Sequence, residues 1–349
     1  MYLTEISNFP SLLPFRGAKK HSVPSNLDLI SSSFDDAVLR HLKSLGPPSI
    51  SLSWLSKAVD FLALTHSEAR NLISDLKVAP PLDDSLAWYL DHSVKLLDLC
   101  NSISAEIERL RQLRLHLTFV LHLLGDRKGE ELPSPENLRR SRMSLSDFDR
   151  GASSGFGKRS KAEVLVRDLN LGLTRLSNAP RGKISSVAKL VRRTVRAVGL
   201  VTVFIAGIAV STIHGSPDMV RVRASAEFTW AESFNELESA VWAELKRRFG
   251  RGNDEQLEGM LEELDDVGTR VKEACGVVDD LAGVAEVNKE EKERLNEVVK
   301  ELEKATASFS DGLDRLSNGV NEMFDGVLRN RNHMTENVRV SGVGKKPRN

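Results

Sequence analysis

The chain has little of what stapled, metal-binding or nucleotide-binding proteins are built from. Its 349 residues include two cysteines, Cys100 and Cys275. Both sit in helix-like patterns, which suits buried thiols in a reducing compartment and excludes a disulfide framework. There is no glycine-rich phosphate loop, no HExxH, no CxxC and no GxSxG. Aromatic residues make up 5% of the chain and do not alternate with basic ones, and 49 basic residues balance 49 acidic ones. Neither a stacking surface nor a net positive field is present, so nucleic acid is not an expected partner. The eight histidines are scattered, and the six-residue spacing of His116 and His122 places them on opposite sides of a helix. The run Asp91-His92-Ser93 holds the residue types of a hydrolase triad, yet adjacent helical positions diverge and cannot form the relay. No catalytic, cofactor-binding or metal-ligating residue is therefore expected, and the protein is read as a non-enzyme.

What is present is helical periodicity along almost the whole chain, without strand-like alternation. The expected fold is all-α, an elongated multi-helix bundle with long antiparallel helices and a C-terminal coiled-coil-like hairpin. A first helix is expected over 27–44, stopping at Gly46-Pro47-Pro48. A second begins after Ser51 or Ser53, whose hydroxyl can cap free backbone N–H groups, and ends at Pro80-Pro81. A third runs from near Asp83 to Leu124 and is closed by Gly125. Further on, residues 219–249 read as an amphipathic helix. In 254–303, seventeen acids stand against six basic residues. From Leu295 to Val327 apolar residues recur mostly in alternating steps of four and three, a seam that suits intramolecular packing or homodimerisation.

Residues 197–213, AVGLVTVFIAGIAVSTI, carry no charge, and six basic residues with no acid precede them between Arg181 and Arg196. On a helical projection Lys189, Arg192, Arg193 and Arg196 share one face, where each could meet an anionic lipid headgroup at about 1 kcal/mol per charge. Seventeen residues lie at the lower limit of the roughly 17–25 that span a hydrocarbon core. The segment is thus either a membrane element, with its basic side toward the cytosol, or the central helix of a large bundle with Gly199 and Gly207 as close-packing points. Membrane association is expected, with Lys189, Arg192, Arg193, Arg196, Val203, Phe204 and Ile205 as contact candidates.

The domain boundaries expected are a disordered leader over 1–26, helical parts over 27–124 and 161–330, a flexible linker over 125–160 and a disordered basic tail over 331–349. The leader's single acid, basic residues, serines and prolines are loosely compatible with a plastid transit peptide. Within the linker, 135–150 has the makings of a short helix. The cluster of Arg139, Arg140 and Arg142 around Ser141 and Ser144 marks those two serines as phosphorylation candidates in an accessible loop.

The elements SWLSKAVDFLALTHSEARNLISDL and WYLDHSVKLLDLCNSISAEIERL, between Trp54 and Leu110, resemble the plant BYPASS family of all-helical proteins. The likeness continues through LNLGLTRLSNAPRGK, the apolar helix and FTWAESFNELESAVWAEL. The related ROH family shares the looser pattern of a Trp-containing helix followed by SVKxLDxCN. Residues 93–101, with Thr65-His66, resemble the BYPASS version more. In that motif Trp54, Leu96, Leu97 and Cys100 suit a helix core, and Asp98 and Asn101 suit interhelical hydrogen bonds.

The resemblance implies a developmental regulator that restrains a mobile root-derived signal, acts through protein contacts and sits at a membrane or in the plastid. It carries over no catalytic residues. Two other readings stand beside it: an adaptor in vesicle traffic that contacts an exocyst subunit on endomembranes, and a soluble enzyme of carotenoid-related metabolism.

Overall fold

A computed structural model describes residues 26–76, 84–125, 133–153, 161–178, 185–215, 220–251, 261–282 and 289–343. Among them lie nine helices and no strand: α1 (Asn26–Ser44), α2 (Leu52–Asp75), α3 (Asp84–Gly125), α4 (Pro135–Ser153), α5 (Lys161–Asn178), α6 (Ser186–Ile213), α7 (Ala231–Arg251), α8 (Glu262–Ala282) and α9 (Lys289–Val343). The all-α expectation holds.

Local chemistry sets the first boundaries. Gly46 takes a left-handed conformation after α1 (φ 65°), which glycine adopts without steric cost. Ser51 then caps α2, its hydroxyl accepting from the Trp54 N–H at 3.2 Å. The Leu52 N–H, one of the free donors of that helix start, is met by the Glu263 carboxylate at 2.9 Å. The beginning of α8 is thereby fastened to the beginning of α2.

α9 packs along both α2 and α3. Arg111 pairs with Asp314 at 2.7 Å near one end of α3, and Arg331 reaches Ser93 at 3.2 Å near the other, so α9 runs antiparallel to α3. At Gly312 a Cβ would come within 2.9 Å of Leu52, which is why glycine serves where α9 crosses the start of α2. Leu295, Val299, Leu302, Ala305, Phe309, Leu313, Leu316, Val320, Met323 and Val327 are all buried. The heptad-like seam is therefore filled within the chain, by α2 and α3 together with α8.

α6 lies inside this assembly, against α2, α3 and α5. Every residue from Ala197 to Ile213 is buried. Among the described residues α6 is the one helix long and apolar enough to cross a bilayer, but here its partners are other helices. At Gly199 an added Cβ would stand 2.8 Å from Leu173 and 2.9 Å from Trp88, so this glycine lets α3 and α5 close on α6 from two sides.

Three boundaries differ from expectation. The supposed linker contains α4, whose Leu138, Ser141, Leu145 and Phe148 recur in steps of three and four and are buried, packed on α3 and α8. Residues 126–132 and 154–160 of that linker lie outside the described residues. The helix expected from 219 starts at Ala231, because Asn235 turns back and clasps the backbone of Ala224, accepting from its N–H at 2.9 Å and donating to its carbonyl at 3.0 Å. The expected basic tail is helical from 331 to 343, since Asn330 and Met334 still bury against the bundle. The leader over 1–25 lies outside the described residues.

Phe204 is fully buried and packs edge-on to Phe234 at 5.1 Å. Phe204→Ala is expected to cost about 3–5 kcal/mol of folding stability, measured by urea unfolding without detergent, with the intact chain released by alkaline carbonate. An unchanged unfolding midpoint would rule out a core role.

Candidate functional site

A fully buried polar group lies in the interior, where α2, α3, α6 and α9 meet. Thr202 donates its hydroxyl hydrogen to the Val198 carbonyl at 2.8 Å, so its oxygen is left to accept from His66 Nε2 at 3.1 Å. With its proton on Nε2, His66 offers Nδ1 as acceptor to the Tyr89 hydroxyl, also at 3.1 Å. Asn330 hydrogen-bonds Tyr89 and donates to the His66 carbonyl at 3.4 Å. One hydrogen-bond chain thus threads four helices, and each donor has one acceptor.

Burial governs the protonation of this group. His66 is fully enclosed, and the loss of solvent lowers its pKa to about 3. The Tyr89 hydroxyl is pushed upward for the same reason. Neutral imidazole and neutral phenol are the forms this chain of bonds requires. His92, stacked on Trp88 at 4.4 Å, is likewise lowered to about 3 by burial, with smaller contributions from His66 and Lys95. Beside them, Cys100 joins the lining of an apolar cavity of about 20 Å³, with its thiol raised by burial to about 12. A thiol so shifted is a poor nucleophile. His66 and Tyr89 link α2 to α3, and His66 links α2 to α6.

The basic stripe of α6 meets protein. Arg193 clamps Asp35 of α1, which is 2% exposed, through both guanidinium nitrogens, one of them at 2.9 Å. The same guanidinium reaches the Glu227 carbonyl at 2.9 Å and covers the Phe228 ring at 4.9 Å. Thr229 adds two further hydrogen bonds to Asp35. Arg196 pairs with the Glu227 carboxylate. Arg192 is half-buried and Lys189 is exposed. Val203, Phe204 and Ile205 are enclosed. The lipid contact expected of these three, and of Arg193 and Arg196, has no surface here on which to form: the apolar side chains are surrounded, and the arginines already neutralise carboxylates.

The phosphorylation candidates are also covered. Ser141 is fully buried, and Ser144 donates to the His116 carbonyl at 3.1 Å. Both face inward because α4 is a packed helix and not an accessible loop, so no kinase reaches them while α4 is folded. Asp98 and Asn101, expected to bridge helices, are exposed on α3. His66 and Tyr89 lay inside the motif regions, but nothing in spacing joins them to Thr202 and Asn330. The legible hint was polar residues, Thr65-His66 and Thr202, interrupting apolar faces.

A sequence model of the family described as "Protein ROH1-like" matches residues 23–167 and 166–338. The chain belongs to the ROH1-like family. It is 31% identical over 352 residues to "Protein BPS1, chloroplastic" of Arabidopsis thaliana, covering 96% of this chain and 91% of that protein. The BYPASS resemblance read from the motifs is borne out. It is 34% identical over 262 residues to "UPF0496 protein 4" of Oryza sativa subsp. japonica, covering 71% of this chain and 55% of the rice protein, so the chain spans about half the length of that relative. Similarity to "Protein ROH1D" of Arabidopsis thaliana is lower, 22% over 333 residues, covering 83% of this chain and 82% of that one. No solved structure matches the chain.

Two outcomes test the polar core. Thr202→Val leaves His66 Nε2–H without an acceptor and is expected to destabilise by about 1–3 kcal/mol, read as a lower urea midpoint. For pH the sign follows from the direction of the shifts: His66 and His92 bind protons at about 6.5 when unfolded and at about 3 when folded. Between these values the unfolded chain holds more protons, so stability falls as pH drops below 6.5, by roughly 1.4 kcal/mol per pH unit per histidine, and is flat with respect to these groups above neutrality. His66→Gln/His92→Gln should flatten the slope between pH 7 and 5; an equal slope in that variant would contradict this assignment.

Proposed function

We propose that the protein is a non-enzymatic regulator of plant development, working through protein contacts on a rigid helical scaffold and restraining a mobile signal that roots send to shoots. The observation that carries this reading is the similarity to Arabidopsis BPS1 along nearly the full chain. The interior adds support: His66, Tyr89 and Thr202 are consumed in hydrogen bonds between helices and are closed to solvent. Such a molecule offers partners its surface.

In this reading α6 is the axis of the scaffold, and attachment to a membrane runs through exposed cations such as Lys189 and not through the apolar length of the helix. The description of BPS1 as chloroplastic supports a plastid location. A fluorescent fusion of the full chain tests it by co-localisation with chlorophyll.

Reciprocal grafting tests the regulatory role. Roots lacking this protein, joined to wild-type shoots, are expected to arrest shoot growth, and wild-type roots are expected to rescue mutant shoots. If the shoot genotype alone determines growth, the reading fails. The enzyme alternative predicts instead that substitutions around Cys100 which preserve folding would change metabolite levels without changing protein contacts.

A further inference from the structure

Large apolar side chains are exposed together on the outer face of the α3–α4 pair. Leu115 is 59% exposed, Met143 55% and Phe119 40%. The two helices run antiparallel, with His116 opposite Ser144 and Arg140 lying over the Phe119 ring at 5.7 Å. Leu115 and Phe119 are one turn apart on α3, and this register brings Met143 to the level between them. Their burial is not needed by the fold: the inward faces of both helices are already filled by Leu113, Leu117, Leu145 and Phe148.

We propose that this face is the interface of a two-fold homodimer. Its rim is what selects a second copy. Arg139 pairs with Glu136 at 2.9 Å, and Arg150 pairs with Asp147, all on the exposed side of α4. A two-fold interface sets a patch against itself, so a rim of one sign would repel its copy, whereas alternating arginines and carboxylates can exchange partners across the axis. Arg140, held over Phe119, adds a cation where the partner's Asp147 or Glu136 can approach. The other route to a dimer, the seam of α9, is already occupied inside the chain.

The dimensions set the strength. α4 has 19 residues and is about 28 Å long, and two helices side by side are about 20 Å wide. The face therefore offers about 550 Å² per protomer, about 1,100 Å² in total, at the low end of specific interfaces. An interface of this size suits reversible association, and micromolar affinity is the expected range.

Sedimentation equilibrium of the full chain over a dilution series decides the matter. The intact protein is expected to move from 38.7 kDa to twice that mass as concentration rises through the micromolar range. Leu115→Glu/Met143→Glu should remain at the monomer mass, with the melting temperature of the intact protein at a dilution where both are monomeric, because both positions are exposed. Arg140→Glu should weaken association at least several-fold. Val164→Glu/Leu171→Glu, on the exposed face of α5, should associate as the intact protein does. A chain monomeric at all concentrations overturns the proposal. So does a Leu115/Met143 variant that dimerises normally, or loss of the dimer in the α5 variant.

Discussion

A helix that is apolar on every side has to be surrounded, and α6 imposes that requirement on the rest of the molecule. One neighbouring helix shields one face only; enclosing Ala197 to Ile213 takes α2, α3 and α5, with α1 and the 220–230 segment over the basic start of the helix. At roughly 25 cal/mol per Å² of apolar surface removed from water, burial of this kind is the dominant favourable term in folding. The other long helices are in turn enclosed by α4, α8 and α9, which gives the bundle a second layer. The two ends of α6 are handled differently. Its apolar length packs by shape, with Gly199 allowing the closest approach, while its first turns are fixed by charge, through the clamp of Arg193 on Asp35.

Apolar packing alone leaves helices free to slide or rotate at small cost, because many registers bury similar area. The polar chain from Asn330 through Tyr89 and His66 to Thr202 removes that freedom. A shift of any one of the four helices by a residue would leave a buried donor or acceptor unmet, at a cost of about 1–3 kcal/mol for each group. The Arg193–Asp35 clamp acts likewise for α1. Removing one partner of such a buried pair typically costs 3–5 kcal/mol, because the other charge is left without its counterion.

Elements punctuated by local chemistry were legible in the sequence. The end of α1 at Gly46-Pro47, the Ser51 cap of α2 and the Gly125 end of α3 each depend on residues within a turn of the boundary. The seam of α9 was legible because its spacing repeats over many turns, and all ten of its positions are buried. Where composition and packing disagreed, composition misled. Arginines and serines in 139–150 disfavour a buried helix on average, yet α4 needs only Leu138, Leu145 and Phe148 on one side to dock. The function of the basic stripe was illegible for another reason: Asp35 lies 158 residues from Arg193, and nothing local distinguishes an arginine meant for a carboxylate from one meant for a phosphate headgroup. The hydrogen-bond chain was hidden in the same way, its members separated by as many as 264 residues.

That last separation bears on how the protein is made. α9, 55 residues and about 80 Å long, is the final described helix to leave the ribosome, yet it supplies Asn330 to a core whose other members, His66 and Tyr89, are synthesised early. At elongation rates of about 5–20 residues per second, nascent α2 and α3 wait on the order of ten seconds or more with their α9-facing sides open. During that interval the incomplete chain is a natural client for holding chaperones, and a premature stop before α9 leaves it permanently in that state.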